Sequence, residues 1–130
     1  MTATPPQLHP LEREVMEELW DRDQATVRQV LEALNARSEK SRAYTTVMTI
    51  MRRLDEKGVL ERERDQRTDV YRATLSREEY AQARAGAEIG ALVDEFGDVA
   101  LLHFARQVDA LDPERRAALE RLARADPSQP

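Results

Sequence analysis

The sequence has no cysteine and few aromatic residues, and these scarcities exclude several kinds of protein. Without cysteine, the 130-residue chain cannot form a disulfide scaffold, a thiolate zinc site or a cysteine nucleophile. Phe, Trp and Tyr make up only 5% of it, which disfavours an aromatic-lined ligand pocket. No hydrophobic run approaches the ~18 residues that a membrane span needs. The first ten residues also lack the pattern of a secretory signal. We therefore expect one small cytoplasmic domain with an extension.

Groups that could perform catalysis are missing as well. The sequence contains only two histidines, and its paired acidic residues at 17–18 and 78–79 have no histidine near them in the chain. No segment combines a nucleophile, a base and an oxyanion stabiliser. We therefore expect no enzyme, no bound metal and no cofactor.

The net charge of −5 hides a basic middle segment. Residues 26–77 carry 12 basic and 8 acidic side chains, and a single acid, Glu39, lies among the cations between positions 37 and 53. Because salt confines electrostatic fields to about 8–10 Å, such a local patch matters more for phosphate binding than the total charge. On charge alone, a solvated helix face and a nucleic-acid interface explain the patch equally well.

Periodicity predicts a mainly α chain with a small β-hairpin. Apolar spacing and capping patterns indicate three helices, the last of which ends at Gly58. Two strand-like runs follow at 59–64 and 70–75, separated by a polar turn at 65–69. Capping patterns at Ser76 and Asp112 open further helices. Three helices followed by a hairpin is the order of a winged helix-turn-helix, whose third helix enters the DNA major groove.

The third predicted helix has two different faces. Val47, Ile50, Met51 and Leu54 form an apolar stripe. Thr45, Thr49 and Arg52 lie nearly opposite it, and Thr46 also lies outside the stripe. Because β-branched threonine lowers helix propensity, three in five positions is an unusual composition for a face without a role. Threonine hydroxyls and methyls can contact phosphates or base edges, and arginines beside them can reach phosphate or guanine. The candidate DNA-binding residues are Arg42, Tyr44, Thr45, Thr46, Thr49, Arg52, Arg53, Arg64 and Arg67.

Four segments of the sequence carry a resemblance to a known family. The runs LEREVMEELW, TVRQVLEAL, AYTTVMTIMRRLDEKGVLERERD and VYRATLSREEY resemble the penicillinase-repressor/methicillin-regulator (BlaI/MecI type) family. The similarity is strong over 8–80 and looser beyond. It implies a homodimeric transcriptional repressor that binds a palindromic operator in double-stranded DNA, with Thr45, Thr46 and Thr49 on the operator and Arg42 and the wing arginines on the backbone.

The resemblance also bears on how repression ends. The copper-responsive branch of the family carries a C-terminal Cys-x-Cys pair, which this cysteine-free sequence excludes. The antibiotic-responsive branch is relieved by proteolysis near an Asn-Phe dipeptide, which implies a regulatory protease as a partner. At the corresponding position this chain has His103 and Phe104, with His in place of Asn. The sequence alone favours a packed or hydrogen-bonded histidine at position 103 over a ligand or a sensor.

The C-terminal helices are assigned to dimerisation. The segment 99–108 is apolar over most of its circumference, so we expect it to be buried in the core or against a partner. The expected organisation is a disordered lead-in at 1–7, a DNA-binding domain at 8–76, a helical dimerisation region at 77–125 and a tail at 126–130. The predicted dimer interface comprises Ile89, Leu92, Val93, Phe96, Leu101, Leu102, Phe104, Ala105 and Val108.

Two alternative functions remain open at this point. One is a regulator that responds to a small ligand, which needs an apolar pocket that a sequence does not reveal, and the other is a protein-interaction module. Winged helices also serve as protein-interaction modules that do not bind specific DNA sequences. The acidic total charge and the acids of the hairpin (Glu61, Glu63, Asp65 and Asp69) favour this alternative. A strong dependence of DNA affinity on salt and on sequence would exclude it.

Overall fold

The computed structural model describes residues 4–125, and within them the chain forms six helices and one antiparallel hairpin. This architecture confirms the predicted class, a mainly α chain with a winged helix-turn-helix followed by further helices. The elements are α1 (Pro10–Trp20), α2 (Val27–Arg37), α3 (Tyr44–Glu56), β1 (Leu60–Asp65), β2 (Thr68–Ala73), α4 (Arg77–Phe96), α5 (Asp98–Asp109) and α6 (Pro113–Arg124).

The first three helices and the hairpin share one apolar core. Each helix contributes residues at helical spacing, and the predicted stripe of α3 supplies Val47, Met51 and Leu54, all fully buried. Ile50, the fourth member of that stripe, is only partly buried. This anchoring fixes the rotation of α3 about its own axis, so the side chains opposite the stripe must face solvent. The other fully buried core residues are Val15, Met16, Leu19, Val30, Leu60 and Tyr71.

A short backbone bridge attaches the hairpin to the helices. Ala25, just before α2, exchanges two hydrogen bonds with Tyr71 of β2: its N–H donates to the Tyr71 carbonyl at 2.9 Å and its carbonyl accepts at 2.8 Å. The Tyr71 side chain is buried beneath the same bridge. The wing is therefore tied to the start of α2 by backbone and by core packing together.

The helix boundaries follow the predicted capping patterns. Thr26 and Gln29 form a reciprocal capping box at the start of α2, and Ser76 and Glu79 form another at the start of α4. Asp112 accepts a hydrogen bond from the backbone of Arg115 at the start of α6. Gly58 follows α3 with φ at +82°, a backbone conformation that glycine adopts without strain.

The hairpin turn is shorter than expected. The predicted turn at 65–69 is wrong in length, because Asp65 pairs with Thr68 and only Gln66 and Arg67 lie between the strands. Gln66 takes a positive φ of 57°. Two-residue hairpin turns favour Asn-Gly or Asp-Gly, so a turn built from Gln-Arg carries no recognisable sequence signal. The arginine at its second position lies at the tip of the wing.

The segment before α1 packs against α4. The Tyr80 hydroxyl donates to the Pro6 carbonyl at 2.6 Å, and Leu8 is buried in the core. Residues 4–7 of the expected disordered lead-in therefore include a specific contact with the domain, whereas 1–3 and the expected tail at 126–130 lie outside the described residues. The chain forms two compact units, one ending at Ala87 and the other beginning at Glu88. The expected boundary between 76 and 77 remains a prediction.

A buried carboxylate in α1 makes stability depend on pH. Glu12 accepts hydrogen bonds from the His9 backbone N–H at 2.8 Å and from Lys57 Nζ at 2.9 Å. Burial raises the pKa of Glu12, but these two hydrogen bonds and the Lys57 charge outweigh it and hold that pKa below its ordinary value of 4.5. A lowered folded-state pKa stabilises the fold above the unfolded-state pKa, and the contribution is lost as pH falls through the folded-state value.

We therefore expect Glu12→Gln to lower the free energy of unfolding by about 1–2 kcal/mol at neutral pH. The variant should also lose part of the wild-type decline in stability below pH 4.5. Urea unfolding at a series of pH values measures both effects. An unchanged pH dependence in the variant would show that other groups cause the acid sensitivity.

Candidate nucleic-acid interface

The outer face of α3 carries the threonines that are predicted to contact DNA. Thr45, Thr46 and Thr49 are exposed, whereas Val47 and Met51 of the same helix are buried. Tyr44, at the start of the helix, is 44% exposed. A rigidly anchored helix with short hydroxyl side chains outward has the form that a major-groove reading helix requires.

The chain leading into α3 is held by an amide clamp. The Asn35 side chain accepts a hydrogen bond from the Arg42 backbone N–H at 2.7 Å and donates to the Arg42 carbonyl at 3.2 Å. The Arg42 guanidinium points elsewhere, to Glu14 of α1, at 3.6 Å. Arg42 was predicted as a DNA contact, and it must leave this ion pair before it can reach a phosphate.

Most arginines of the wing are already paired with acids. Asp69 lies 3.7 Å from both Arg62 and Arg64. Arg72 lies 3.6 Å from Glu63 and 3.9 Å from Glu61 on the facing strand. The acids of the hairpin therefore neutralise these cations along its length. Because of this pairing, a count of charges in the sequence does not show which individual arginines are paired with acids.

Three other predicted cations have no acidic partner among the residues that the structure describes. Arg52 and Arg53 of α3 and Arg67 at the wing tip are exposed, and none forms an ion pair with any residue of the range 4–125. An arginine without a carboxylate partner can bind phosphate without first losing an interaction. The structure thus separates the predicted arginines into two groups, with Arg42 and Arg64 paired and these three unpaired.

This difference leads to a measurable expectation in the wing. Arg67→Ala should weaken binding to operator and to random DNA alike, and should reduce the slope of log affinity against log salt by about one. Arg64→Ala should have a smaller effect on the slope, because Asp69 already compensates part of the Arg64 charge. Fluorescence anisotropy at several salt concentrations compares the two variants. Equal slopes for both would mean that the Asp69 pairing does not matter.

Sequence reasoning missed one residue on this surface. Arg28, in the first turn of α2, has its guanidinium carbon 5.9 Å from the centre of the Tyr44 ring. Its position could not be read from α2 alone, because its proximity to α3 and the wing depends on how the helices pack. An arginine next to the Thr26 capping box is the only local signal.

The predicted dimer-interface residues lie on the unit that begins at Glu88, and most are solvent-exposed in the single chain. Phe96 is 53% exposed, Leu101 50% and Leu102 48%. Val93 and Phe104 are partly buried, and Ile89, Leu92, Ala105 and Val108 are exposed. Of the two expected environments for segment 99–108, burial in the core of the same chain is therefore wrong except at Ala100, which is 8% exposed.

The remaining candidate features are placed as follows. His103 is exposed on α5 in the single chain, and its expected role as a packed or hydrogen-bonded histidine stays a prediction. Across residues 4–125, no group of three His, Asp or Glu side chains is arranged to hold a metal ion. None of the helices described combines the length and apolar character that crossing a membrane requires.

Comparison with known proteins gives a consistent result. The family model described as penicillinase repressor matches residues 8–125. The transcriptional regulator BlaI of Mycobacterium tuberculosis is 43% identical over 117 residues, which cover 85% of this chain and 81% of that protein. The solution structure of the DNA-binding domain of the repressor BlaI is 28% identical, with a TM-score of 0.52, and covers 62% of this chain and 94% of its own.

A more distant structure shares the fold. The structure of hsRosR-SG in a complex has a TM-score of 0.53 at 17% identity and covers 93% of both chains. Identity this low supports the fold alone. The family model and the relative from Mycobacterium tuberculosis thus confirm the resemblance to the penicillinase repressors, and the family model covers nearly the whole of the described chain.

Proposed function

This chain belongs to the penicillinase repressor family, and we propose that it acts as a homodimer that represses transcription by binding a palindromic operator. The family is one of transcriptional repressors and not of enzymes. One solved relative, which covers 62% of this chain, is the DNA-binding domain of the repressor BlaI. Double-stranded DNA is therefore the proposed partner, and the cytoplasm the proposed location.

The observation that carries the DNA-binding mode is the outer face of α3. Thr45, Thr46 and Thr49 are exposed there, while the buried stripe of the same helix holds its orientation. In this mode α3 lies in the major groove and its threonines contact base edges, including thymine methyls. Arg52 and Arg53 on α3 and Arg67 on the wing bind the flanking phosphates. Tyr44, Arg42 and Arg64 complete the proposed contact set.

The dimer is supported by the apolar surface of the C-terminal unit. Seven large hydrophobic side chains between 89 and 108 are 38–58% exposed in the single chain, more than a soluble monomer usually leaves in one region. A second copy would cover them. Two-fold symmetry then places two half-sites about 34–36 Å apart, one helical turn of DNA.

Proteolysis near His103 and Phe104 is the proposed route by which repression ends. The proposed interface residues lie on both sides of this site, so cleavage within α5 would divide the interface. The DNA-binding domains of the two copies would then no longer be held together. His103 is exposed in the single chain, which supports access by a regulatory protease to free copies. Mass spectrometry of the protein from induced cells would detect a fragment ending near residue 103, and full-length protein alone after induction would contradict this route.

The operator-binding proposal is tested by selecting genomic fragments with the purified full-length chain. We expect enrichment of an inverted repeat upstream of a small number of genes. Uniform recovery of fragments with only salt-sensitive binding would contradict sequence-specific repression, and would leave the winged helix as a protein-interaction module.

A further inference from the structure

A groove of about 440 Å³ opens between the start of α2, the flank of α3 that carries Tyr44, Met48 and Arg52, and the wing. Each of the three elements contributes one arginine to its lining: Arg28, Arg52 and Arg67. Hydroxyl groups of Thr26 and Thr68 lie in the same lining. Three elements that are distant in sequence thus bring hydrogen-bond donors to one place.

Within residues 4–125, the acids compensate the positive charge of this groove only in part. The lining includes one acid, Asp69, and Arg62 and Arg64 both lie 3.7 Å from it on the wing. Arg28, Arg52 and Arg67 form no ion pair with any residue described between 4 and 125. Cations that face a common space without counter-charges repel one another, and an anion placed between them removes that repulsion.

The start of α2 adds to the same field. Its first turn contains Arg28 and no acid, although helix N-termini favour negative charge. The capping box uses the N–H groups of Thr26 and Gln29, and within 4–125 the N–H groups of Val27 and Arg28 have no hydrogen-bond acceptor. Helix N–H groups that are free in this way are good donors to phosphate oxygens.

The Tyr44 ring holds Arg28 at the groove. The guanidinium carbon lies 5.9 Å from the ring centre, within the range of a cation–π contact. Tyr44 itself also lines the groove. The ring face limits where the flexible arginine can point, so less side-chain entropy is lost when the guanidinium binds a ligand.

We propose that this groove binds the phosphodiester backbone of one DNA strand, with Arg28 as a phosphate contact and Tyr44 as its positioning residue. The inference rests on the proposed DNA-binding function and adds a site on α2 to it. Because phosphates are the same at every base pair, Arg28 contributes to affinity and to the placement of α3, and not to sequence choice.

The test uses the full-length chain and a fluorescent duplex of arbitrary sequence. Arg28→Ala should weaken binding about ten-fold and lower the salt slope by about one. Arg13→Ala is the matched control, because Arg13 is an exposed α1 arginine, 4.0 Å from Glu17, that does not line the groove. The control should change neither quantity. Alanine favours helices, so neither substitution should disturb folding.

The positioning role of Tyr44 is tested by a double-mutant cycle. Tyr44→Ala should weaken binding in the wild-type background and cost clearly less when Arg28 is already alanine, since only its own proposed DNA contact is then lost. Tyr44→Phe keeps the ring and should restore most of the affinity lost in Tyr44→Ala. Fully additive losses would contradict positioning of Arg28 by Tyr44.

Two other results would overturn the groove proposal. If the wild type binds the duplex and Arg28→Ala behaves like Arg13→Ala, the groove is not a backbone site although the DNA-binding function stands. If calorimetry shows saturable binding of inorganic phosphate that Arg28→Ala abolishes while duplex binding is unchanged, the groove is a site for a small anion. A wild-type chain that binds no duplex contradicts both the groove and the proposed function.

Discussion

Leu101→Asp is expected to convert the dimer to monomers and to weaken binding to the inverted repeat by about 100-fold. Leu101 is 50% exposed in the single chain, within the apolar surface that we assign to the interface. In a symmetric dimer each copy would bury one new carboxylate at the interface, and burying an unpaired charge costs several kcal/mol. A monomer then loses the gain in effective concentration that linking two half-site contacts provides.

Gln107→Asp is the matched control, since it adds the same charge to α5 at an exposed polar position outside the predicted interface. Sedimentation at micromolar concentration and anisotropy on the repeat measure assembly and affinity. Gln107→Asp should stay dimeric with unchanged affinity. A dimeric Leu101→Asp protein would contradict the assigned surface, and a monomeric wild type would contradict the dimer itself.

Replacing both Thr46 and Thr49 with alanine is expected to lower operator affinity by about 30-fold, taking roughly 1 kcal/mol for each lost base contact. Binding to random DNA should change little, because the threonines contribute little to phosphate attraction. Both side chains are exposed, and alanine has the higher helix propensity, so the fold should not be weakened.

The random duplex serves as the internal control for this pair of substitutions. The informative quantity is the ratio of operator to random affinity, measured at one salt concentration. We expect the ratio to fall about as much as the operator affinity does. Equal losses on both duplexes would place the threonines on the backbone, and no loss on either would remove them from the interface.

Local patterns were sufficient to predict most of the fold. The capping boxes at Thr26 and Ser76, the caps at Gly58 and Asp112, and the stripe of α3 all depend on residues within a few positions of one another. The wing turn is shorter than the sequence predicts, because its Gln66-Arg67 pair lacks the usual turn residues. The sequence therefore predicts the elements that have a recognisable local signal, and not the length of a turn that lacks one.

The candidate site was predictable only in part, because its electrostatics depend on distant pairs. The exposed face of α3 follows from helical period alone. The partner of Arg42, however, is Glu14 on another helix, and the contact between Arg28 and Tyr44 joins α2 to α3. The apolar helix at 99–108 was recognised, but its composition is compatible with burial in the same chain or in a second copy.

The central claim, that two symmetry-related copies bind two half-sites on one face of DNA, is tested most directly by changing the half-site spacing. Inserting about five base pairs rotates one half-site by half a turn, and about ten base pairs restores its phase. We predict that the half-turn insertion lowers affinity to that of a single half-site and that the full-turn insertion recovers part of the loss. Equal affinity for all three spacings would contradict a dimer that binds both half-sites together.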